Sequence, residues 1–127
     1  MIRYLLDTHI LIDWATHPSR LATEARVAIG NGRSLIFVSA VAAIEISIKR
    51  KLGKLDSPTD VGWLLEENRF EELPVTIQHA EETVQLPLAH RDPFDRLLVA
   101  QARSENMTLI TRDRVLLHDY DVATLAA

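Results

Sequence analysis

The chain has 127 residues, 47% of them hydrophobic, no cysteine, and 18 acidic against 14 basic residues for a formal charge of −4. A chain of this size buries about two-thirds of its unfolded surface, so a single domain over residues 1–127 is expected, and the apolar content excludes a disordered chain. The lack of cysteine excludes disulfides, thiolate metal sites and a cysteine nucleophile, and it fits a reducing, cytoplasmic location.

The elements read as follows. Ile2 to Leu6, apolar apart from Arg3, is a short strand of the kind buried inside a parallel sheet. It ends at Asp7, and helical spacing runs from Thr8 to Trp14. Pro18 can open a second helix through Leu21, Ala25, Val27 and Ala28, stopped by Gly30, Asn31 and Gly32. Leu35 to Val38 is a second strand, closed by Ser39, and a helix from about Ala40 to Leu52 ends at Gly53. Ser57, Pro58 and Thr59 mark a break before a helix over Val61 to Asn68. Glu72, Leu73, Pro74 and Val75 suit a short edge strand, where proline is tolerated. A weaker helix spans Ala80 to Leu86.

His90, Arg91, Asp92 and Pro93 form a helix-start signal, with Asp92 as N-cap and Pro93 as first helical residue. That helix runs to about Asn106. Thr108 to Thr111 is another strand, followed by a helical stretch near Leu116 and a final strand from Asp121 to Leu125. Strands alternating with helices predict an α/β fold, a central parallel sheet flanked by helices. No apolar run approaches the roughly 20 residues that span a bilayer, and the residues before Asp7 are too few for the apolar part of a signal peptide, so a soluble protein with no membrane partner is expected.

Four acids stand where a solvated acid would not. At about 100° per residue, Val41, Ile44, Ile48 and Leu52 gather on one arc of their helix, and Glu45 falls inside it. A charge on an apolar face is costly unless paired. Asp95 shares its face with Leu98, Val99 and Ala102. Asp7 and Asp113 follow short apolar strands, and in parallel α/β sheets ligands bind beyond the carboxyl ends of the strands. If the four meet in one pocket they repel one another and need cations; hard oxygen donors suit Mg²⁺ or Mn²⁺ rather than zinc. Such ions serve phosphodiester hydrolysis by activating water and stabilising the leaving oxygen. The net charge of −4 counts against a nucleic-acid partner, but four acids set aside as ligands leave 14, matching the 14 lysines and arginines.

Each acid also has a simpler reading. Asp7 can cap the helix at Thr8, Asp95 can complement the dipole of its helix beside Asp92, and Asp113 can be a turn residue. Glu45 alone resists one, short of pairing with a buried cation. Asp13, Asp92, Asp119 and Asp121 are assigned to caps, turns or the surface. The histidines lack zinc-ligand spacing, with His9 and His90 read as solvated side chains near the pocket mouth. Lys49, Arg50, Lys51 and Lys54 read as a solvated helix face. Arg91, Arg96, Arg112 and Arg114 flank the third and fourth acids and are the candidate phosphate contacts. Trp14 and Trp63 read as core or interface anchors. No P-loop, GxGxxG or GxSxG motif is present.

The segments LLDTHILIDW, SAVAAIEISIKRKLGKL, HRDPFDRLLVAQA and LITRD occur in this order. Together they resemble PIN-domain proteins, particularly the VapC-like toxins of toxin–antitoxin pairs, over nearly the whole chain. The resemblance implies a PIN-like three-layer α/β/α fold. Asp7, in the strand-end DT motif with Thr8, matches the family's first acid, Glu45 the second, Asp95 the third and Asp113 the fourth, and Thr111 a supporting hydroxyl beside the fourth. All four acids being present, the resemblance implies a Mg²⁺- or Mn²⁺-dependent endoribonuclease acting on tRNA, rRNA or mRNA, a homodimer, and a cognate antitoxin lying in a groove near the site. Trp14 and the apolar residues of the first helix are the expected groove. Two other readings use the same acids: a DNase or phosphatase, and a metal-binding receiver-like or adaptor domain without catalysis. The latter usually carries a lysine at a late strand end, where this chain has Arg112 and Asp113.

Overall fold

The computed structural model describes residues 1–55, 60–87 and 92–127; the expected break at Ser57 to Thr59, and His90 and Arg91, lie outside them. Among the described residues five strands and seven α-helices alternate. They are β1 (Arg3–Leu6), α1 (Thr8–Thr16), α2 (Thr23–Gly30), β2 (Leu35–Ser39), α3 (Ala40–Lys51), α4 (Val61–Asn68), β3 (Glu71–Leu73), α5 (Ile77–Glu82), α6 (Pro93–Ser104), β4 (Thr108–Thr111), α7 (Arg114–His118) and β5 (Thr124–Ala126). The sheet is parallel throughout in the order β3-β2-β1-β4-β5. Tyr4 stands opposite Ile36 on one side and Thr108 on the other.

Both faces of the sheet are covered, which is why the middles of β1, β2 and β4 are apolar on both faces rather than alternating. Successive side chains point to opposite faces, so Leu6, Ile36, Val38 and Ile110 join one core with α1, α2 and α4. Leu5, Leu73 and Leu109 join the other with α6 and α7. The fold is therefore the expected α/β/α sandwich. From β1 the chain builds outward to β2 and β3, then crosses back to β4 and β5. The carboxyl ends of β1 and β4 thus lie side by side where the winding reverses, the place where such sheets bind ligands. The Asp7 amide donates to the Ile110 carbonyl at 3.0 Å, tying the two ends together.

Three elements differ from expectation. The helix expected from Pro18 divides into a 3₁₀ turn, Pro18–Arg20, and α2. Leu21 and Ala22 are extended between them: Leu21 is buried, and the Ala22 amide donates to the Ala127 carbonyl at 2.9 Å. Helix α5 starts earlier than expected, because Thr76 and His79 form a reciprocal cap. The Thr76 hydroxyl accepts from the His79 amide, and His79 Nδ1 accepts from the Thr76 amide. Histidine here takes the role usually filled by Glu or Gln.

Helix α3 departs most from expectation. It buries Val41, Ala42, Glu45 and Ile46, whereas Ile44, Ile48 and Leu52 are 48%, 46% and 61% exposed. Glu45 does face inward, but not because it lies among Ile44, Ile48 and Leu52, which form an uncovered stripe. Val41 and Ala42, in the first turn after the Ser39 cap, pack on the two cores, and this sets the rotation of the helix. Trp63, expected as an anchor, is 57% exposed on α4. Among the described residues no helix is long and apolar enough to cross a membrane.

Candidate active site

A cavity of about 500 Å³ opens at the junction of β1 and β4 and is bordered by Asp7, Glu45, Asp95 and Asp113. Each acid arrives by a different local device. Asp7 occupies the N-cap position of α1 yet makes no capping hydrogen bond. Instead its Oδ2 accepts from the Thr111 hydroxyl at 2.7 Å, so the simple capping reading of Asp7 fails. Thr111, wholly buried at the end of β4, also accepts from the Asp113 amide at 3.1 Å. One hydroxyl therefore sets Asp7 and Asp113 relative to each other.

Asp113 does cap, accepting from the Val115 and Leu116 amides, and it borders the cavity as well. Asp92 caps α6 through the Phe94 and Asp95 amides. The cap of α6 is thus Asp92, which leaves Asp95, half-buried in the first turn, on the cavity wall. Glu45 reaches the cavity from α3, and its Oε1 accepts from the Thr8 hydroxyl at 2.9 Å. Thr8 and Thr111 each serve one of the two most buried acids.

Electrostatics follow burial. Burial pushes the Asp7 carboxyl above the usual carboxylate range, only partly offset by the Thr111 hydroxyl and His9, and Asp113 raises it further. Burial does the same at Glu45 against the Thr8 hydroxyl and Lys49, with Asp92 and Asp7 adding to the rise. These two acids hold their charge at a cost, and a cation between them would relieve it.

The structure redistributes the supporting residues. Asp13, assigned from sequence to caps, turns or the surface, is 8% exposed and borders the cavity, where it pairs with Arg112. A signal for it existed: Asp13 stands three residues after the buried Ile10, the spacing that marked Asp95 against Leu98. Lys49 borders the cavity too, its Nζ 3.8 Å from Glu45 Oε2, so it is not merely part of a solvated face. Exposed His9 lies on the cavity wall. Of the four candidate phosphate contacts, Arg112 borders the cavity and Arg91 lies outside the described residues. Arg96 is bound to the carbonyls of Thr83, Leu86 and Pro87, and Arg114 is exposed at the start of α7, next to Asp113. Arg112 is thus the one of the four that borders the cavity among the described residues.

The donor set is all hard oxygen. The cavity carries no thiolate, and zinc sites are built mainly on Cys and His. The oxygen donors suit Mg²⁺ or Mn²⁺, since magnesium keeps several waters and takes one or two carboxylates together with substrate phosphate.

Comparison with known proteins places this arrangement. Residues 4–122 match the model of the PIN domain, and the chain belongs to the PIN-domain family. Within it the chain is VapC-like: it is 30% identical over 119 residues to Ribonuclease VapC22 of Mycobacterium tuberculosis, covering 91% of each chain. Its fold is similar to that of VapBC2 from Rickettsia felis bound to a promoter DNA fragment, with TM-score 0.71, 16% identity and 98% of each chain covered. It is also similar to a toxin–antitoxin complex from Klebsiella pneumoniae, with TM-score 0.61, 22% identity, and coverage of 87% of this chain and 86% of that one.

Proposed function

We propose that the protein is a metal-dependent endoribonuclease, the toxin component of a toxin–antitoxin pair. The observation that carries this reading is the meeting of Asp7, Glu45, Asp95 and Asp113 in one cavity at the β1/β4 junction, with Thr8 and Thr111 fixing the two buried acids. Similarity to a protein named as a ribonuclease supports RNA as substrate, with tRNA, rRNA and mRNA as the candidate classes.

Asp7 and Asp95 would hold Mg²⁺, or Mn²⁺ in its place, directly; Glu45 would hold it directly or through water, and Asp113 would support these ligands or a second ion. When bound, the ion lowers the pKa of a water and neutralises charge developing on the phosphate. The chain's own part is to hold the acids. Thr111 keeps the Asp7 carboxylate from rotating out of the cavity, and Thr8 does so for Glu45. The attacking water is aligned by these acids for in-line displacement, and the route needs no covalent intermediate on the protein.

Cleavage of one single-stranded sequence as RNA and as DNA, with a small phosphate ester in parallel, tests the substrate class. RNA cleavage alone is expected. Equal DNA cleavage, or ester hydrolysis without RNA cleavage, contradicts the reading. Metal binding with no hydrolysis of any substrate favours the adaptor alternative.

A cognate antitoxin and a homodimer belong to the same reading. Of the groove expected on the first helix, Ile10 and Leu11 are wholly buried in the core; Trp14, half-buried and donating to Asn68 Oδ1 at 3.0 Å, borders a second cavity of about 450 Å³ with Ile29, Ile36 and Phe70, separate from the acid cavity, and this cavity is the candidate antitoxin groove. Trp14→Ala should weaken capture of the antitoxin in a pull-down; unchanged affinity argues against it. The exposed stripe of Ile44, Ile48 and Leu52 is the face for a second copy of the chain, since contiguous apolar surface rimmed by polar residues marks an interface.

A further inference from the structure

Among the described residues, the lysine and the two arginines that border the cavity are each paired with a carboxylate. Lys49 stands on Glu45 at 3.8 Å. Arg112 Nη2 donates to Asp13 Oδ2, and Arg20 Nη1 lies 3.8 Å from Asp13 Oδ1. The two arginines therefore share one buried acid. The Asp13 side chain is 11% exposed, whereas those of Arg112 and Arg20 are 43% and 60% exposed. All three residues border the cavity.

Acids outnumber cations on that wall, and an RNA backbone entering it is repelled unless positive charge is concentrated where its phosphates pass. A guanidinium offers five N–H donors in a planar fork, of which a carboxylate shared between two arginines occupies only part. Asp13 accepts a hydrogen bond from Arg112 and holds Arg20 in a looser ion pair at 3.8 Å, and both side chains, 43% and 60% exposed, retain further N–H donors. A carboxylate placed there for metal binding would not be taken up by two arginines.

We propose that Arg20 and Arg112, fanned out on the buried carboxylate of Asp13, bind a backbone phosphate next to the scissile one, with Asp13 as their positioning residue; this rests on the nuclease reading above. It extends the site to Arg20 and Asp13 and makes the ligand the phosphodiester backbone rather than a base. Charge alone and positioning predict opposite signs for Asp13→Asn. Removing an acid from an anion-binding cavity tightens RNA if only net charge matters, and loosens it if Asp13 holds the forks.

The test uses a short mixed-sequence single-stranded RNA. Steady-state cleavage gives KM and kcat, and binding to an Asp95→Asn background is followed across KCl concentrations. Arg20→Ala and Arg112→Ala should raise KM severalfold with kcat unchanged, and each should lower the slope of log affinity against log salt by about 0.7. Asp13→Asn should raise KM as Arg112→Ala does, with no further rise in the double variant. Arg33→Ala, an exposed arginine away from the cavity, should change nothing. If Asp13→Asn does not fold, the two exposed arginine variants carry the test through their salt slopes. Unchanged KM and slope in both arginine variants, or tighter RNA binding by folded Asp13→Asn, overturns the inference while wild-type cleavage leaves the nuclease reading standing. A wild type that neither binds nor cleaves RNA overturns both.

Discussion

Thr111 donates to Asp7 and accepts from the Asp113 amide, so a single buried hydroxyl couples two of the four acids. Thr111→Val keeps the volume and removes both hydrogen bonds. It should cost about 1–3 kcal/mol in chemical denaturation, the penalty for stranding buried polar groups, and a cost near zero would mean that Asp7 finds another donor. Asp7 and Glu45 have raised proton affinity in the folded state. An acid of this kind contributes stability that is fully present below its ordinary value and lost as the pH rises through the raised one. In EDTA at neutral pH, Asp7→Asn and Glu45→Gln should therefore be more stable than wild type, and the advantage should vanish below the ordinary values of 3.8 and 4.5. A deficit that is constant across pH contradicts this. Asp95→Asn should abolish cleavage and leave metal-free stability unchanged or higher; were Asp95 serving its helix, the change would cost a few tenths to about 1 kcal/mol.

At the scale of elements, α3 and α6 deliver Glu45 and Asp95, and their rotations decide whether a site exists. Asp92 fixes the start of α6 through the Phe94 and Asp95 amides. Asp92→Ala should lower stability by about 1 kcal/mol and reduce cleavage as well, because Asp95 sits on the turn it orders. On α3, Ile48→Asp should convert a dimer to a monomer in sedimentation without loss of fold; a wild type that is monomeric at all concentrations contradicts the assignment of that stripe. Most elements were legible because their signals are local. The Asp92–Pro93 start, the apolar run of β4 and the break at Gly53, whose φ is +70°, need only neighbours in sequence. The rotation of α3 was not. Periodicity finds an apolar stripe on a helix, but which stripe faces the core depends on where β2 hands the chain to the helix. The acids were found by their misplacement among apolar residues and by resemblance. Asp13 was missed because its hydrogen-bond partner Arg112 comes from a distant part of the chain, even though its spacing from Ile10 was visible.

At the scale of the whole molecule, the parallel sheet places the ends of β1 and β4 side by side and puts acids from four segments around one opening. Binding of Mg²⁺ to the folded state alone should raise stability by mass action, about 2.7 kcal/mol at a hundred times its Kd. The shift should disappear in Asp7→Asn. The most direct measurement is cleavage of a mixed cellular RNA pool by the wild type in Mg²⁺, by the wild type in EDTA, and by Asp7→Asn in Mg²⁺. Discrete fragments in the first and none in the other two are predicted. Fragments that persist in EDTA or in Asp7→Asn, from protein free of other nucleases, would contradict the assignment of the carboxylate cavity as the metal-dependent ribonuclease centre.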